Sequence, residues 1–364
     1  MLSKEELLKY NRHLIMPEIG LEGQEKIKLA KVLVIGAGGL GTPVLQYLTA
    51  AGVGTIGIVE YDTVSESNLQ RQVLYSETDI GKPKIEIAKS KLEKLNSYIK
   101  IKLFNLKLTK ENVLDIFPSF DVIIDTSDNF PTRYLVNDAC VILNKPLVYG
   151  AIHKFLGQVA VFNYKGGPTY RCIFPEQPEE GEVPNCSTIG VLGAVPGVIG
   201  AMQAVEALKI VINNGNVLSG KLFQIDFLEF RTEIITIEKD SNFSNITELS
   251  EYENTCQSVD DRINTILVTE LYSKIKNKEN ILIYDLRSPE QFKDYNIGGK
   301  NIEVEKFIFA PENLTKEKTV IFVCEFGEKS KTLTEYLQFE KGFTNVYNLE
   351  GGIQAWIKAG FSLR

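Results

Sequence analysis

Residues 31–62, KVLVIGAGGLGTPVLQYLTAAGVGTIGIVEYD, decide the fold. The β-branched run 31–35 ends at Gly36-Ala37-Gly38-Gly39-Leu40-Gly41, and Val44, Leu45 and Leu48 then recur at helical spacing before a second strand over 55–59. Strand, glycine turn, helix and strand within about 30 residues make a βαβ unit. Small residues at such a turn let backbone N–H groups approach an oxyanion, and the helix N-terminus adds partial positive charge. Glycines that only allow close strand–helix packing are the plainer reading, and the context favours the phosphate cradle. Glu60 ends the second strand, where a carboxylate can bind ribose hydroxyls.

The alternation continues outward. Helices are expected over 82–95, 111–117 and 131–143, and strands over 99–103, 122–124 and 147–149. That order predicts a mostly parallel, Rossmann-like doubly wound sheet covered on both faces. Beyond Gly157 the character changes: an antiparallel strand over 158–162, a Pro/Glu/Gly-rich loop over 168–184, a long apolar helix over 195–213 and closing strands within 222–237. Polar residues 240–254 read as linker. A second α/β pattern begins near Ile263, with helices over 268–275, 289–294, 329–339 and 353–359 and strands over 281–284 and 319–323. The reading is α/β throughout: a domain over 1–240 with an antiparallel extension, a linker over 241–262 and a small domain over 263–364.

Composition narrows the function classes. The 364 residues carry 40 basic and 47 acidic side chains, net −7, so nucleic acid is not expected as a partner. No apolar run approaches the roughly 18 residues that span a bilayer, and the charged start MLSKEELLKYNRHL has no apolar signal core, so a cytoplasmic protein with no membrane partner is expected. Five cysteines are too few for a disulfide scaffold and point to free thiols.

Arg71 and Lys84 follow the second strand, and Asp128 and Asn129 stand in Asp125-Thr126-Ser127-Asp128-Asn129 at a strand end. Singly, each is more often a solvated charge. Together they suit a nucleoside triphosphate, whose roughly four negative charges need positioned cations. Asp128 suits Mg²⁺, a hard ion that prefers carboxylate and phosphate oxygen. A nicotinamide dinucleotide has only a diphosphate and needs no such cluster. An NAD-dependent oxidoreductase is therefore the disfavoured alternative, beside a non-catalytic scaffold for a carrier protein.

The run from Gly36 through Leu74, with its SNLQRQ segment, and the segments DIGKPK and DTSDN resemble the MoeB/ThiF family of ubiquitin-activating-type adenylyltransferases, over about residues 5–240. The resemblance implies a homodimer that uses ATP to adenylate the C-terminal glycine of a small ubiquitin-like sulfur carrier ending in Gly-Gly, for thiazole, molybdopterin or another product. It further implies that Gly36, Gly38, Gly39 and Gly41 form the phosphate turn. Gly39 would contact the phosphates, Asn68, Arg71 and Lys84 would hold the triphosphate, Asp128 would place Mg²⁺, Ser67 and Asn129 would be further nucleotide-binding residues, and Arg12 would enter the neighbouring subunit's site. The family usually has Asp where this chain has Glu60; the longer carboxylate can still accept both hydroxyls.

Many members carry structural zinc on two CxxC pairs. Here Thr169-Tyr170-Arg171-Cys172 retains one cysteine of the first pair, and the segment 238–243 has none, so zinc is not expected. Cys186 precedes the long helix. In relatives a cysteine there captures the acyl group or forms an acyl disulfide, and in others it is a plain loop thiol; both readings stay open. Cys140 reads as core, and Cys256 falls in the linker with no assigned role.

Cys324 opens the loop Cys324-Glu325-Phe326-Gly327-Glu328-Lys329-Ser330 between a strand and a helix, where a cup of N–H groups favours a sulfur anion. With Asp285-Leu286-Arg287 upstream and Leu349-Glu350-Gly351-Gly352 downstream, residues 263–364 resemble a rhodanese domain, which implies a persulfide on Cys324. A binding module with an idle thiol is the alternative. Asn296 stands where relatives often have His, a change expected to affect packing. Glu325 and Glu328 flank the loop with only Lys329 opposing them, which disfavours anionic donors such as thiosulfate. A cysteine desulfurase or another protein persulfide donor is the more natural source.

Overall fold

Strand β1 (Lys31–Ile35) is apolar on both faces, as a central parallel strand must be, and Val32, Leu33 and Val34 are wholly buried. Alternate residues serve opposite layers. Val32 and Val34 pack with Leu45, Leu48, Ile56 and Ile85, while Leu33 and Ile35 pack with Phe117, Phe120 and Tyr134. The structure is a computed structural model that describes residues 1–178, 190–243, 245–250, 252 and 263–364.

The chain divides into two compact units, Met1–Cys256 and Gln257–Arg364. In the first, β1 continues into β2 (Thr55–Val59), β3 (Lys100–Phe104), β4 (Val122–Asp125) and β5 (Leu147–His153), all parallel. β6 (Leu156–Phe162), β7 (Lys221–Asp226) and β8 (Arg231–Thr236) extend the sheet antiparallel. The eight strands run β3-β2-β1-β4-β5-β6-β7-β8, so the winding reverses between β1 and β4. In an open α/β sheet that reversal opens a crevice at the strands' carboxyl ends. The expected helices over 82–95 and 131–143 are found at Lys84–Leu95 and Phe130–Ile142. The expected helix over 111–117 is shorter, Val113–Ile116, because Pro118 passes the chain into a 3₁₀ turn.

The helix Ala194–Ile212 corrects one expectation. Its 19 residues are long and apolar enough by length and composition to cross a bilayer. Glu206 and Lys209 interrupt the apolar run in sequence, but here they pair with each other. The helix packs along β5 and β6 and the helix Gly41–Ala51, and 44% of it is buried within the chain.

The expected linker is partly bound to the first unit. Ser241–Phe243 form a 3₁₀ turn, Leu249 and Tyr252 pack against the core, and the Tyr252 hydroxyl donates to Asp138 Oδ2 at 2.6 Å. Two apolar side chains in a polar run were enough to dock it.

The second unit is a five-stranded parallel sheet. β9 (Thr265–Ile266), β10 (Ile281–Asp285), β11 (Lys300–Asn301), β12 (Thr319–Val323) and β13 (Val346–Leu349) run β11-β10-β12-β13-β9. The helix expected over 329–339 is regular only for Glu328–Glu335 and widens to a π turn at Tyr336–Glu340.

Candidate active site

A cavity of about 240 Å³ lies at the carboxyl ends of β1, β2 and β4. Gly36, Gly38, Gly39, Glu60, Arg71, Lys84, Asp128 and Asn129 all line it. Residues scattered over about ninety positions of sequence are thus brought to one crevice. Gly36 has φ +95°, open to glycine at little cost, and a Cβ on Gly41 would stand 2.2 Å from the Gly36 carbonyl oxygen. Gly41, Ser67 and Asn68 do not line the cavity. Gly41 sets the close helix–strand approach, the Ser67 carbonyl accepts from Arg71 Nη1 at 3.0 Å, and Asn68 Oδ1 accepts from the Ser65 N–H at 3.3 Å. Their contribution is to hold the segment that carries Arg71.

The glycine turn is braced on three sides. Glu60 Oε2 accepts from the Ala37 N–H at 2.9 Å, while Oε1 accepts from the Tyr61 and Asp62 N–H groups at 2.8 and 2.9 Å. Oε1 is thus saturated by two donors, while Oε2 keeps one lone pair free to accept from a ribose hydroxyl. Thr126 Oγ1 donates to the Ile35 carbonyl at 2.6 Å and ties the end of β4 to the turn. Tyr75 donates to the Ala37 carbonyl at 2.9 Å, and burial pushes its phenol pKa up, so it stays a neutral donor.

Lys84 is buried at the N-terminus of its helix, with Nζ 3.1 Å from Asp62 Oδ2. Asp128 is exposed in the cavity mouth; Asn129 Nδ2 reaches its Oδ1 at 3.4 Å, and Asn129 Oδ1 caps the next helix at the Thr132 N–H. Among the described residues no cluster of three or more His, Cys, Asp or Glu forms a metal cage. One carboxylate beside a phosphate site nevertheless fits Mg²⁺, which usually takes one or two protein oxygens plus phosphate and water. Arg12 is exposed on the helix Asn11–Leu14 and does not line the cavity.

Sequence reasoning missed Gln72, Arg133, His153 and Lys154, which also line it. Gln72 is 4% exposed and its Oε1 has no partner among the described residues, although its place in SNLQRQ was the available signal. Arg133 reaches the Ser127 carbonyl at 3.3 Å and the Tyr149 hydroxyl at 3.4 Å. Burial pushes the Asp125 carboxyl up, opposed by the Arg133 charge.

In the second unit Cys324 directly follows β12 and is 4% exposed. Its Sγ accepts from the Ser330 N–H at 3.3 Å and lies 3.2 Å from Ser330 Oγ, which is 2.6 Å from Asn348 Oδ1. The Cys324 and Glu325 carbonyls accept from the Ile353 and Gln354 N–H groups, so they turn outward. A Cβ on Gly352 would stand 2.3 Å from the Cys324 oxygen, which explains the glycine pair behind the loop. Asp285 and Arg287 form a buried ion pair at 2.8 Å, and Arg287 Nη1 reaches Glu325 at 3.4 Å. Lys329 is therefore not the sole counter-charge to the loop carboxylates. Asn296 holds its own turn, accepting from the Gly298 N–H and donating to the Phe292 carbonyl.

Residues 10–245 match the ThiF family and residues 267–359 a rhodanese-like domain. The chain belongs to the ThiF family. It is 40% identical to the probable adenylyltransferase/sulfurtransferase MoeZ of Mycobacterium tuberculosis, over 98% of this chain and 94% of that protein. It is 37% identical to the adenylyltransferase and sulfurtransferase MOCS3 of Culex quinquefasciatus, over 98% and 88%. The sulfur carrier protein adenylyltransferase of Thermus thermophilus is 51% identical over 65% of this chain and 89% of its own. Among solved structures, Escherichia coli MccB with ATP superposes with a TM-score of 0.56 at 25% identity, over 62% of this chain and 70% of that one. This ThiF-family chain is an enzyme of the adenylyltransferase/sulfurtransferase type.

At the corner around Cys172 the donors present do not fit zinc: Thr169 stands in place of one cysteine of the first pair, and 238–243 holds no cysteine. Hydrogen bonds close the corner instead. Cys172 Sγ accepts from the Thr169 and Asp240 N–H groups at 3.3 and 3.4 Å, and Thr169 Oγ1 donates to the Phe243 carbonyl at 3.2 Å. Cys140 is wholly buried, as expected of a core residue. Cys186 and Cys256 lie outside the described residues.

Proposed function

We propose that the first unit uses ATP and Mg²⁺ to adenylate the C-terminal glycine of a small ubiquitin-like sulfur carrier ending in Gly-Gly, and that Cys324 then supplies sulfur to give a thiocarboxylate. The observation that carries the reading is the single cavity shared by the glycine turn, Glu60, Arg71, Lys84 and Asp128. The carboxylate attacks the α-phosphate and pyrophosphate leaves; cations on the triphosphate stabilise that charge. The acyl adenylate is a far better electrophile than a carboxylate, and the Cys324 persulfide attacks it with loss of AMP. A second thiol then attacks Cys324 Sγ and releases the thiocarboxylate. Cys186 is the chain's candidate for that thiol; if it is a plain loop thiol, an external one serves.

An apolar rim beside the cavity supports a protein substrate. His153 and Lys154 line the cavity at the β5–β6 tip, and the next residue, Phe155, accepts at its carbonyl from Phe227 N–H at 3.0 Å. Leu228 and Phe230 in that neighbouring turn are exposed. A homodimer is supported by the other side of the helix Ala194–Ile212, where Val198, Ala201 and Val205 share an open groove with Pro43, Tyr47 and Val73. The compartment is read as cytoplasmic, where ATP and free thiols coexist. A cysteine desulfurase is the sulfur donor in this reading.

The test separates the two halves. Cys324→Ser is expected to retain carrier-dependent ATP–pyrophosphate exchange while the carrier no longer exchanges oxygen for sulfur by mass spectrometry. Cys186→Ser, run beside it, blocks sulfur gain if Cys186 is the second thiol. Full thiocarboxylate yield from Cys324→Ser would defeat the sulfurtransferase half, and NADH binding without pyrophosphate exchange would defeat the first.

A further inference from the structure

The loop that follows Cys324 combines a bulky exposed side chain with one carboxylate held in place by its neighbours. Phe326, two residues after the nucleophile, is 68% exposed, and its neighbour Gly327 is held at φ +88° against the Gly351–Gly352 backbone. Glu325 is fixed by three donors: Gln354 Nε2 at 2.6 Å and the Tyr295 hydroxyl at 3.1 Å to Oε1, and Arg287 Nη1 at 3.4 Å to Oε2. Burial alone raises the Glu325 pKa, but these donors outweigh it and hold the carboxyl below its usual range. It is ionised at neutral pH. The Arg287 charge does not cancel it, because Nε and Nη2 of that guanidinium already bind both oxygens of buried Asp285. Glu328 and Glu350 are also exposed beside the loop, against Lys329 and the half-buried Lys331, whose charge faces Glu335 and Glu350.

We propose that this loop is a docking surface for a persulfide-bearing protein whose persulfide cysteine lies in an apolar patch with a basic rim. The inference rests on the sulfurtransferase reading above and names the kind of donor it takes. Phe326 is the apolar anchor, and Glu325 with Glu328 forms the acidic rim. Apolar centre and charged rim is how protein interfaces divide affinity from orientation. The transfer itself is balanced: the Cys324 thiolate attacks the donor's terminal sulfur, a new S–S bond forms on Cys324, and the donor's S–S bond breaks to leave its thiolate. With thiosulfate the same attack would expel sulfite, and the donor itself already brings two negative charges to a fixed carboxylate.

Two synthetic cysteine-persulfide peptides test this on the full chain, one with leucine and lysine flanks and one with leucine and glutamate flanks, with thiosulfate as a third donor. Single-turnover persulfide formation on Cys324 is read by cyanolysis. The lysine-flanked peptide is expected to have a kcat/KM at least about tenfold above the glutamate-flanked one, with the gap closing as salt rises. Glu328→Lys is expected to shrink that ratio, and Phe326→Ser to raise KM for both peptides but not for thiosulfate. Glu325→Gln is expected to raise the ratio of thiosulfate to lysine-peptide rates. Equal rates for the two peptides in the unaltered protein, or a thiosulfate KM that rises with the peptides' in Phe326→Ser, would overturn the docking surface. Loading that persists in Cys324→Ser would instead defeat the sulfurtransferase reading beneath it.

Discussion

Lys84 Nζ lies 3.1 Å from Asp62 Oδ2, with the lysine side chain 6% exposed and the aspartate 55%. The buried partner is the cation, and the solvated partner is the anion. A triphosphate entering the cavity can therefore displace Asp62 toward water without moving Lys84. On this geometry Asp62 keeps a buried ammonium compensated until substrate arrives, and Lys84 is already in position when it does.

Lys84→Ala and Arg71→Ala are each expected to reduce carrier-dependent pyrophosphate exchange by about 10²–10³-fold, the usual effect of removing one group that stabilises developing charge. Asp62→Asn should change KM for ATP more than kcat, because it alters only the unoccupied site. Near-normal exchange in both cation variants would remove the triphosphate assignment.

Much of this was legible in sequence because the strands are short, β-branched and punctuated by glycine: the expected 31–35, 55–59 and 319–323 are found unchanged as β1, β2 and β12. β9 and β11 are two residues each and carry no periodicity to read. The cavity residues that carry a charge or glycine in a motif were found. Gln72 and Arg133 were not, because a polar side chain in a motif looks solvated until its burial is known. The packing of Leu249 and Tyr252 was missed for the opposite reason: the polar composition around them hid it, and Tyr252 reaches buried Asp138 more than a hundred residues earlier in the chain.

The Cys172 corner gives a direct expectation about metal. The purified protein should contain no stoichiometric zinc by elemental analysis, and a chelator should leave its thermal unfolding unchanged. The reason is the donor set: Cys172 is the only cysteine in 169–172 and 238–243 has none, so the four ligands a structural site wants are not there. Cys172→Ala should still destabilise, by about 1–2 kcal/mol, since two backbone N–H groups lose their acceptor. One zinc per chain would mean a ligand set elsewhere.

Asp79 offers a pH signature close to Lys84. It accepts from the Ser76 N–H and hydroxyl at 2.9 and 2.7 Å and pairs with Lys91. Burial raises its pKa, but the Lys91 ammonium and the Ser76 donors outweigh it and hold the carboxyl at about 2. A folded value below the unfolded one means stability that is present above the unfolded pKa and lost as pH falls through the folded one. Lys91 is partly exposed, so solvent screening limits the contribution to about 1–2 kcal/mol. Asp79→Asn should therefore destabilise by that amount at pH 7, with about half of the difference gone by pH 3. Denaturant titrations of both proteins at pH 7, 5 and 3 read it, and a difference constant across that range would refute the charge-based account.

Arg12 stands outside the cavity of its own chain. It is exposed on Asn11–Leu14, a four-residue helix that precedes the sheet, and no ion pair holds it among the described residues. On the same chain, Val198, Ala201 and Val205 expose an apolar groove that a second copy would cover. If the groove is the dimer contact and Arg12 acts across it, each active site draws Arg12 from one chain and Arg71 from the other. Arg12→Ala and Arg71→Ala are then each inactive alone, but a mixed dimer contains one site with both arginines intact. Random exchange of equal amounts gives about half mixed dimers by symmetry, each with one working site of two, so about a quarter of full pyrophosphate exchange should return. Val205→Glu, placed in the groove, should lower both the dimer fraction by sedimentation and the rescue. Verified subunit exchange without recovered activity would show that Arg12 acts in its own chain or takes no part.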